Sequence, residues 1–498
     1  KSGINTLNPL MKEEEARNQL ASARLTKGQK EACELITTTS DQFIMIQGYA
    51  GTGKTTMNKT AIDTVHHALS MTQEELRIIA VAPTHQAVKE MRALGIEAQT
   101  LKSFLIAQDQ ERTLSPNSLV LLDESSMVSN RDCARLVQQI SDSGARCVLL
   151  GDVSQHQSIE SGKPSQILMQ EGSIRVACMD DIVRQQVLEY KNAIETLIQG
   201  NPNKALSQLS SLPLNLIERK DIDSPYHALS SSLMVTGHPL DESVPLNKQK
   251  EHNQSVFQQK SPIEMAVGDY LSRTDECREQ TIVIIHENKK REVANTLIRN
   301  ELIKEGTLGS ENLTFPRLLS TNYTTAELYF CETYQECIKK GDFYLKKEGD
   351  YFKVSSVDTS NKVVLLHDSK GEKSFFVPEK ENKDWKIELF QSAPGDISVG
   401  EKIHFKKSDK SLGRFANERL RVTQVQEASI VVTDGAGSEH RLNKEEMKDA
   451  HWDYSYTATS YSIQGASSPY VIGVAETGNS KVNHLRSFYI MVTRGSLH

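Results

Sequence analysis

Gly48-Tyr49-Ala50-Gly51-Thr52-Gly53-Lys54-Thr55 constrains the fold of this chain more than any other stretch. It follows an apolar run, Phe43-Ile44-Met45-Ile46-Gln47, and leads into residues that read as a helix from Thr55-Thr56 to about Ala68. Strand, glycine-rich turn and helix form the setting in which Gly-x4-Gly-Lys-Thr wraps a phosphate. Glycine lets backbone N–H groups curl around phosphate oxygens without a Cβ in the way, and the helix N-terminus adds donors and partial positive charge. Lys54 would reach the β- and γ-phosphates, and the Thr55 hydroxyl would ligate Mg2+. The expected cradle comprises Gly48, Ala50, Gly51, Thr52, Gly53, Lys54, Thr55 and Thr56. Its expected ligand is a nucleoside triphosphate.

The theme of an apolar strand ending in a polar motif recurs downstream. Ile78–Ala82 leads into Pro83-Thr84-His85-Gln86, Leu119–Leu122 into Asp123-Glu124-Ser125-Ser126, and Cys147–Leu150 into Gly151-Asp152 and then Gln155. Continuous apolar runs separated by helix-length stretches indicate strands buried on both faces of a parallel sheet. Such sheets bind ligands at their strand C-termini, where these polar residues gather. A second series comprises Thr281–Ile285 before His286-Glu287-Asn288, Tyr470–Val474, and Ser487–Val492, read as a strand before Thr493-Arg494. From 314 to 450 the pattern changes to short alternating strands with turn signals: Tyr351–Val357, Val363–His367, Phe375–Val377, Lys402–Phe405, Leu420–Val425 and Ile430–Thr433, the last followed by an Asp434-Gly435 turn. That texture indicates a β-rich insertion. The expected order is a lead-in over 1–25, a first α/β lobe over 26–178, and the first part of a second lobe over 179–313. The insertion over 314–450 follows, and the second lobe closes over 451–498. Within the second lobe, 210–265 is polar and weakly patterned.

Length and composition agree with a multidomain α/β chain. At 498 residues, roughly three domains of about 150 residues are expected. The formal net charge is −7, so any DNA site must be a local groove rather than a broad basic face. The seven cysteines (33, 133, 147, 178, 277, 331 and 337) are scattered and form no Cys-x2-Cys pair, which favours reduced thiols in a cytoplasmic protein. No run approaches the ~18 apolar residues of a membrane span, so membrane insertion is not expected. The chain starts with Lys and without a signal peptide, and reads as a fragment of something longer.

The acidic pair Asp123-Glu124, placed directly after a buried strand, is the partner that the phosphate loop requires. Asp123 can hold Mg2+ through its water shell, and Glu124 can orient and deprotonate the attacking water. Gln155, beyond the next strand end, is placed to sense the γ-phosphate.

These and further motifs occur in a fixed order: Leu25-Thr26-x-x-Gln29, the phosphate loop, Ala-Pro-Thr-His-Gln-Ala-Val (82–88), Ala-Gln-Thr-Leu-x-Ser-Phe-Leu (98–105), Leu-Leu-Asp-Glu-Ser-Ser-Met-Val (121–128), Gly-Asp-x-x-Gln (151–155), Ile-Val-Arg-Gln (182–185), Gln-Gly-Ala-Ser (464–467) and Val-Thr-Arg (492–494). In that order the chain resembles a superfamily 1 helicase of the RecD-like, 5′-to-3′ branch. More closely, it resembles the helicase portion of conjugative relaxase-helicases of the F-plasmid TraI type.

The resemblance implies two RecA-like lobes with parallel sheets, and ATP with Mg2+ as the fuel. It implies that Gln29 reads the adenine, that Arg184 and Arg494 act as arginine fingers on the γ-phosphate, and that Gln464 and Gly465 face the nucleotide cleft. One such finger is worth ~10³–10⁵ in rate. Single-stranded DNA is the implied partner, met by Pro83, Thr84, His85, Thr100, Ser103 and Phe104 from one side, and by Asn288, Thr459 and Tyr461 from the other. Hydroxyls and backbone amides there bind phosphates without reading sequence, and Phe104 or His85 would stack on bases. Tyr461 stands where the family usually has His, and tyrosine keeps an aromatic face and a hydroxyl but no protonatable ring.

Residues 398–447 resemble the SH3-like barrel of RecD-type helicases. The stretch 105–118 is expected to be a short polar loop in place of the family's strand-separating wedge. The end at His498, four residues after Arg494, suggests an incomplete second lobe. The overall expectation is a monomeric 5′-to-3′ DNA translocase, the motor of a conjugative relaxase. Contacts to type IV secretion coupling machinery and export to a recipient cell are further expectations. The alternatives are a RecD-like repair helicase and a non-motor module for binding single-stranded DNA or for secretion recognition.

Overall fold

The computed structural model describes residues 3–72, 75–111, 114–158, 160–185, 187–210, 215–219, 232–236, 261–321, 323–324, 326–382, 387–464, 466–476 and 484–495. Two compact units divide the chain, one formed by 1–294 with 457–498 and the other by 295–456.

The first unit is built on a six-stranded sheet of β1 (Phe43–Gly48), β2 (Arg77–Ala82), β3 (Glu97–Thr100), β4 (Ser118–Leu122), β5 (Arg146–Gly151) and β6 (Arg175–Met179), ordered β3-β2-β4-β5-β1-β6. All five pairings are parallel. The inner strands β1, β2, β4 and β5 are mostly apolar because both faces are covered, and successive side chains enter opposite cores. Ile44 and Ile46 join Ala80, Leu119, Leu121, Val148 and Leu150 on one face, under the helices Lys27–Thr38, Lys54–Thr72 and His85–Ala93. Met45 joins Ile79, Val120, Leu122 and Leu149 on the other, under the helices Leu101–Glu111 and Asn130–Ser143. Burying one such side chain contributes about 1.5–3 kcal/mol, which holds these short runs at the centre of the sheet. The strand C-termini carry the polar motifs to one edge.

A second sheet in the same unit contains β7 (Asn215–Arg219), β8 (Ser232–Thr236), β9 (Thr281–Ile285) and the strands Thr457–Ala458 and Tyr470–Glu476. β9 runs parallel to both of its neighbours, whereas β8 is antiparallel to Tyr470–Glu476 and β7 to β8. The second sheet is therefore mixed, with an antiparallel edge supplied by the weakly patterned segment 210–265. Residues 211–214, 220–231 and 237–260 of that segment lie outside the described residues.

Two sequence expectations are corrected here. Ser487–Val492 is not a strand but part of a helix, Leu485–Thr493, in which every residue from Ser487 to Thr493 is buried. A run buried on all sides shows neither the two-residue nor the 3.6-residue period, so its apolar character cannot separate strand from helix. The His484 side chain caps this helix by accepting from Ser487 N–H at 3.2 Å. The wedge-like loop expected over 105–118 is helical as far as Glu111. Thr100 Oγ1 accepts from Ser103 N–H at 3.3 Å, and Leu101, Phe104 and Leu105 sit at i, i+3 and i+4 facing the core.

The second unit holds a six-stranded antiparallel sheet, ordered Leu313–Ser320, Glu388–Ile397, Phe343–Lys347, Asp350–Asp358, Val363–His367, Lys373–Phe376. A five-stranded sheet, ordered Glu439–Asn443, Ser429–Asp434, Arg419–Val425, Lys402–Phe405, Trp452–Tyr454, completes it. Asp434 Oδ1 closes the turn after Ser429–Asp434 by accepting from Ala436 and Ser438 N–H at 2.9 and 2.7 Å. The buried ion pairs Arg299–Glu401 and Arg414–Asp449, and the pair Arg317–Asp453 with its half-buried arginine, lie inside this unit. All seven cysteines are free. Among the described residues, no helix is long and apolar enough to cross a membrane.

Candidate nucleotide site

The Gly48–Thr55 loop leaves β1 at the C-terminal edge of the parallel sheet and enters the helix Lys54–Thr72. Gly51 and Gly53 adopt φ of +82° and +76°, which glycine reaches without strain. A Cβ on Gly53 would also lie 2.5 Å from Gln29 Nε2, and one on Gly51 2.9 Å from Gln185 Oε1. Lys54 Nζ folds back over the loop and donates to Gly48 O at 2.7 Å and Tyr49 O at 3.4 Å. Thr52 is buried, whereas Thr55 and Thr56 are exposed at the start of the helix.

Gln29 is buried, and its side chain is engaged within the protein. Oε1 accepts from Thr26 N–H at 2.9 Å in a capping box, while Nε2 donates to Thr52 O at 2.8 Å and Gly53 O at 3.4 Å. In this state the amide braces the phosphate loop.

Asp123 and Glu124 follow β4, and Glu124 takes a left-handed conformation with φ of +50°. Its N–H donates to Asp123 Oδ1 at 2.8 Å. Burial and then the charge of Glu124 push the Asp123 carboxyl up to about 7, against the pull of Lys54. A carboxylate raised for want of positive charge fits a cation site. Gln464 Nε2 donates to Glu124 Oε2 at 3.3 Å. Gly465 lies outside the described residues.

Arg184 and Arg494 reach the same place from residues 310 apart. The backbone N–H groups of Val183 and Arg184 donate to Gly51 O at 2.8 and 3.0 Å, seating this segment on the phosphate loop. Arg184 Nη1 donates to Thr493 O at 3.1 Å. Arg494 is buried and donates from Nη1 to Ala466 O at 3.0 Å and from Nε to Ile490 O at 3.3 Å. Burial and then the Arg184 charge lower the Arg494 guanidinium to about 10, while Glu124 and Asp152 oppose the shift. Neither guanidinium has a carboxylate within ion-pair distance among the described residues. Among the described residues the buried Arg494 and the half-buried Arg184 have carbonyl and hydroxyl partners, so no carboxylate offsets either charge at ion-pair range.

Asp152, fully buried at the end of β5, joins these parts. Its Oδ2 accepts from Tyr489 Oη at 2.9 Å and Gln155 Nε2 at 3.1 Å, and its Oδ1 from Gln47 Nε2 at 3.3 Å and Ser154 N–H at 2.9 Å. Gln155 Oε1, Gln185 Oε1, Gln464 Oε1 and the Ser125 and Ser126 hydroxyls are buried with no partner among the described residues, which suits a site that takes a polar ligand. Sequence reading did not single out Gln47 or Tyr489. The one signal for Gln47 was a glutamine closing an apolar strand; Tyr489 gave none.

The residues expected on the DNA side fare differently. Thr84 Oγ1 accepts from Ala87 N–H at 3.3 Å as a helix cap, with Pro83 and His85 half-buried beside it. Thr100 and Ser103 are half-buried at the next helix start. Phe104 is corrected: it is fully buried in the core, so its ring presents no face to a base. Asn288 is exposed at the start of the helix after β9. Thr459 and Ser462 exchange hydrogen bonds in a local turn. Tyr461 stacks on His156 at 3.6 Å between ring centroids and 2° between planes, and His156 Nε2 pairs with Ser460 Oγ at 2.8 Å. Burial lowers His156 to about 3 and His286 to about 4.

Residues 24–212 match a family model described as an AAA domain. The multifunctional conjugation protein TraI of Escherichia coli K12 is 32% identical over 486 residues, covering 95% of this chain and 27% of TraI. The conjugal transfer protein TraA of Agrobacterium fabrum is 32% identical over 186 residues, covering 37% of this chain and 16% of TraA. The RecBCD subunit RecD of Mycobacterium tuberculosis is 31% identical over 161 residues, covering 27% of this chain and 28% of RecD. The chain thus spans 27% of the length of the TraI protein it matches along most of its own. With the ordered motifs gathered at the edge of a parallel phosphate-loop sheet, the chain is similar, over nearly its whole length, to one part of the TraI-type conjugation proteins and, over 161 residues, to RecD.

Proposed function

We propose that this chain is an ATP- and Mg2+-driven motor that moves 5′-to-3′ along single-stranded DNA, as part of a conjugative DNA-transfer protein. The observation that carries the reading is the meeting of Arg184 and Arg494 with Lys54 and the Glu124 carboxylate. Two cations with no acidic partner within ion-pair reach among the described residues, beside a phosphate loop, suit a triphosphate.

Lys54 would exchange the Gly48 and Tyr49 carbonyls for phosphate oxygens. Thr55 and Asp123 would hold Mg2+, which neutralises phosphate charge when bound. Glu124, oriented by Gln464 Nε2, would accept the proton of the attacking water at its carboxylate. Arg184 and Arg494 would offset the charge that develops on the transferred phosphoryl group. Gln155, held by Asp152, stands within the same network. DNA would meet Pro83, Thr84, His85, Thr100, Ser103, Asn288, Thr459 and Tyr461, and the loss of Phe104 from that set leaves contacts to phosphate in the majority.

The TraI match over 95% of the chain supports a role in conjugation, with coupling to a type IV secretion machine and export as its consequences. The RecD match covers 27% of the chain, so a repair role is the weaker reading. A binding-only module would not need Lys54, Glu124 and both arginines together. Lys54→Ala is expected to abolish ATP hydrolysis stimulated by single-stranded DNA, and near wild-type turnover would overturn the motor assignment. Strand displacement on 5′-tailed and 3′-tailed duplexes tests polarity, and a preference for the 3′ tail would reverse it.

A further inference from the structure

Tyr489 lies on the helix Leu485–Thr493, buried, five residues before Arg494. Its hydroxyl makes two hydrogen bonds with opposite roles. It accepts from Ala50 N–H at 2.9 Å, inside the phosphate loop, and donates to Asp152 Oδ2 at 2.9 Å, at the end of β5. These partners are 439 and 337 residues away in the sequence. Asp152 in turn collects Gln155 and Gln47, and Gln47 Oε1 accepts from Val153 N–H at 3.2 Å. One phenolic oxygen therefore ties the first turn of the loop, the Gly-Asp-x-x-Gln segment and the arginine-bearing helix into a closed network. Burial and then the Asp152 charge keep this phenol protonated, so the donor to Asp152 is always present.

We propose that Tyr489 is a positioning residue that fixes the arginine-bearing helix against the phosphate loop, so that Arg494 is placed for the transferred phosphoryl group of a nucleotide held by that loop. The inference rests on the nucleotide-site reading above. The short helix leaves little room for independent movement: a shift that carries Arg494 also moves the Tyr489 hydroxyl and strains both of its bonds. Because Lys54 and the loop N–H groups beyond Gly51 are free of Tyr489, its hydroxyl contributes to arginine placement rather than to holding the nucleotide.

Tyr489→Phe removes one oxygen and keeps the packing of the ring. With single-stranded DNA present, kcat for ATP is expected to fall roughly 10–100-fold, the range for loss of a hydrogen bond to a charged group. KM and the affinity for a fluorescent ADP analogue should stay within about twofold, the split expected when only transition-state placement is lost. Tyr489→Phe combined with Arg494→Lys should cost less in kcat than the product of the single effects, since both act on one arginine. Circular dichroism and melting establish that each variant is folded. If Tyr489→Phe destabilises the fold, Asp152→Asn, which keeps the acceptor but loses its charge, is read by the same split. Unchanged kcat, loss of nucleotide affinity in step with kcat, or multiplicative effects in the double variant would each overturn the proposal. A wild-type chain that binds nucleotide but does not hydrolyse it would instead overturn the motor reading.

Discussion

Gln29 offers a sharp test of how this site is built. The family resemblance makes it a reader of adenine, but in this structure its amide is bonded to Thr26 N–H, Thr52 O and, more weakly, Gly53 O. Replacing it with Ala removes the bond to the loop and half of the capping box. The loop bond is worth about 1 kcal/mol and the cap about 1 kcal/mol. Only the first bears directly on the loop, so kcat/KM should fall between roughly 5-fold and 30-fold, the upper figure applying if both losses reach the loop. A brace acts on the phosphates that every nucleotide shares. The loss should therefore be the same for ATP, GTP, CTP and UTP within about threefold. Gln29→Glu, which turns a carboxylate oxygen toward the Thr52 carbonyl, should be worse than Ala and equally unselective. Steady-state hydrolysis of the four nucleotides by wild type and both variants is the assay. A loss confined to ATP, exceeding that for the other three by more than ~10-fold, would refute the brace and restore base reading.

Two further outcomes follow from burial. Phe104→Ala should cost ~3–5 kcal/mol of stability, seen as a lowered first melting transition, while the folded variant keeps its affinity for single-stranded DNA. Normal melting with weakened DNA binding would return Phe104 to the DNA surface. His156 is held at about 3, well below its ordinary 6.5, mainly by burial and then by the charges of His484, His286, Arg486 and Arg494. Between those two values the unfolded chain binds more protons, so stability is fully present above pH 6.5 and declines as pH falls, by roughly 2 kcal/mol at pH 5 from this group alone. His156→Gln should flatten the melting temperature between pH 7 and 5, and an unchanged slope would exclude His156 as its source.

What could be read without coordinates was local. The Gly48–Thr55 loop was legible because its glycines meet a backbone demand at their own positions, confirmed by the positive φ of Gly51 and Gly53. β1, β2, β4 and β5 were legible because a strand covered on both faces must be apolar along its whole length. Glu97–Thr100 and Arg175–Met179, with mixed burial at the sheet edges, gave no such run and were missed. The same uniform burial that exposed the central strands hid the nature of Leu485–Thr493, since a residue run that is buried everywhere has no period to read. Only the tertiary structure decided that Phe104 points into the core, that the Gln29 amide is taken up by the loop, and that the second sheet is mixed. It alone set the Tyr489 hydroxyl between Ala50 and Asp152. Sequence determined which chemical groups this chain has and the local turns that present them. The choice of partners 23 to 439 residues away belongs to the packed fold, where burial favours a partner for each polar atom.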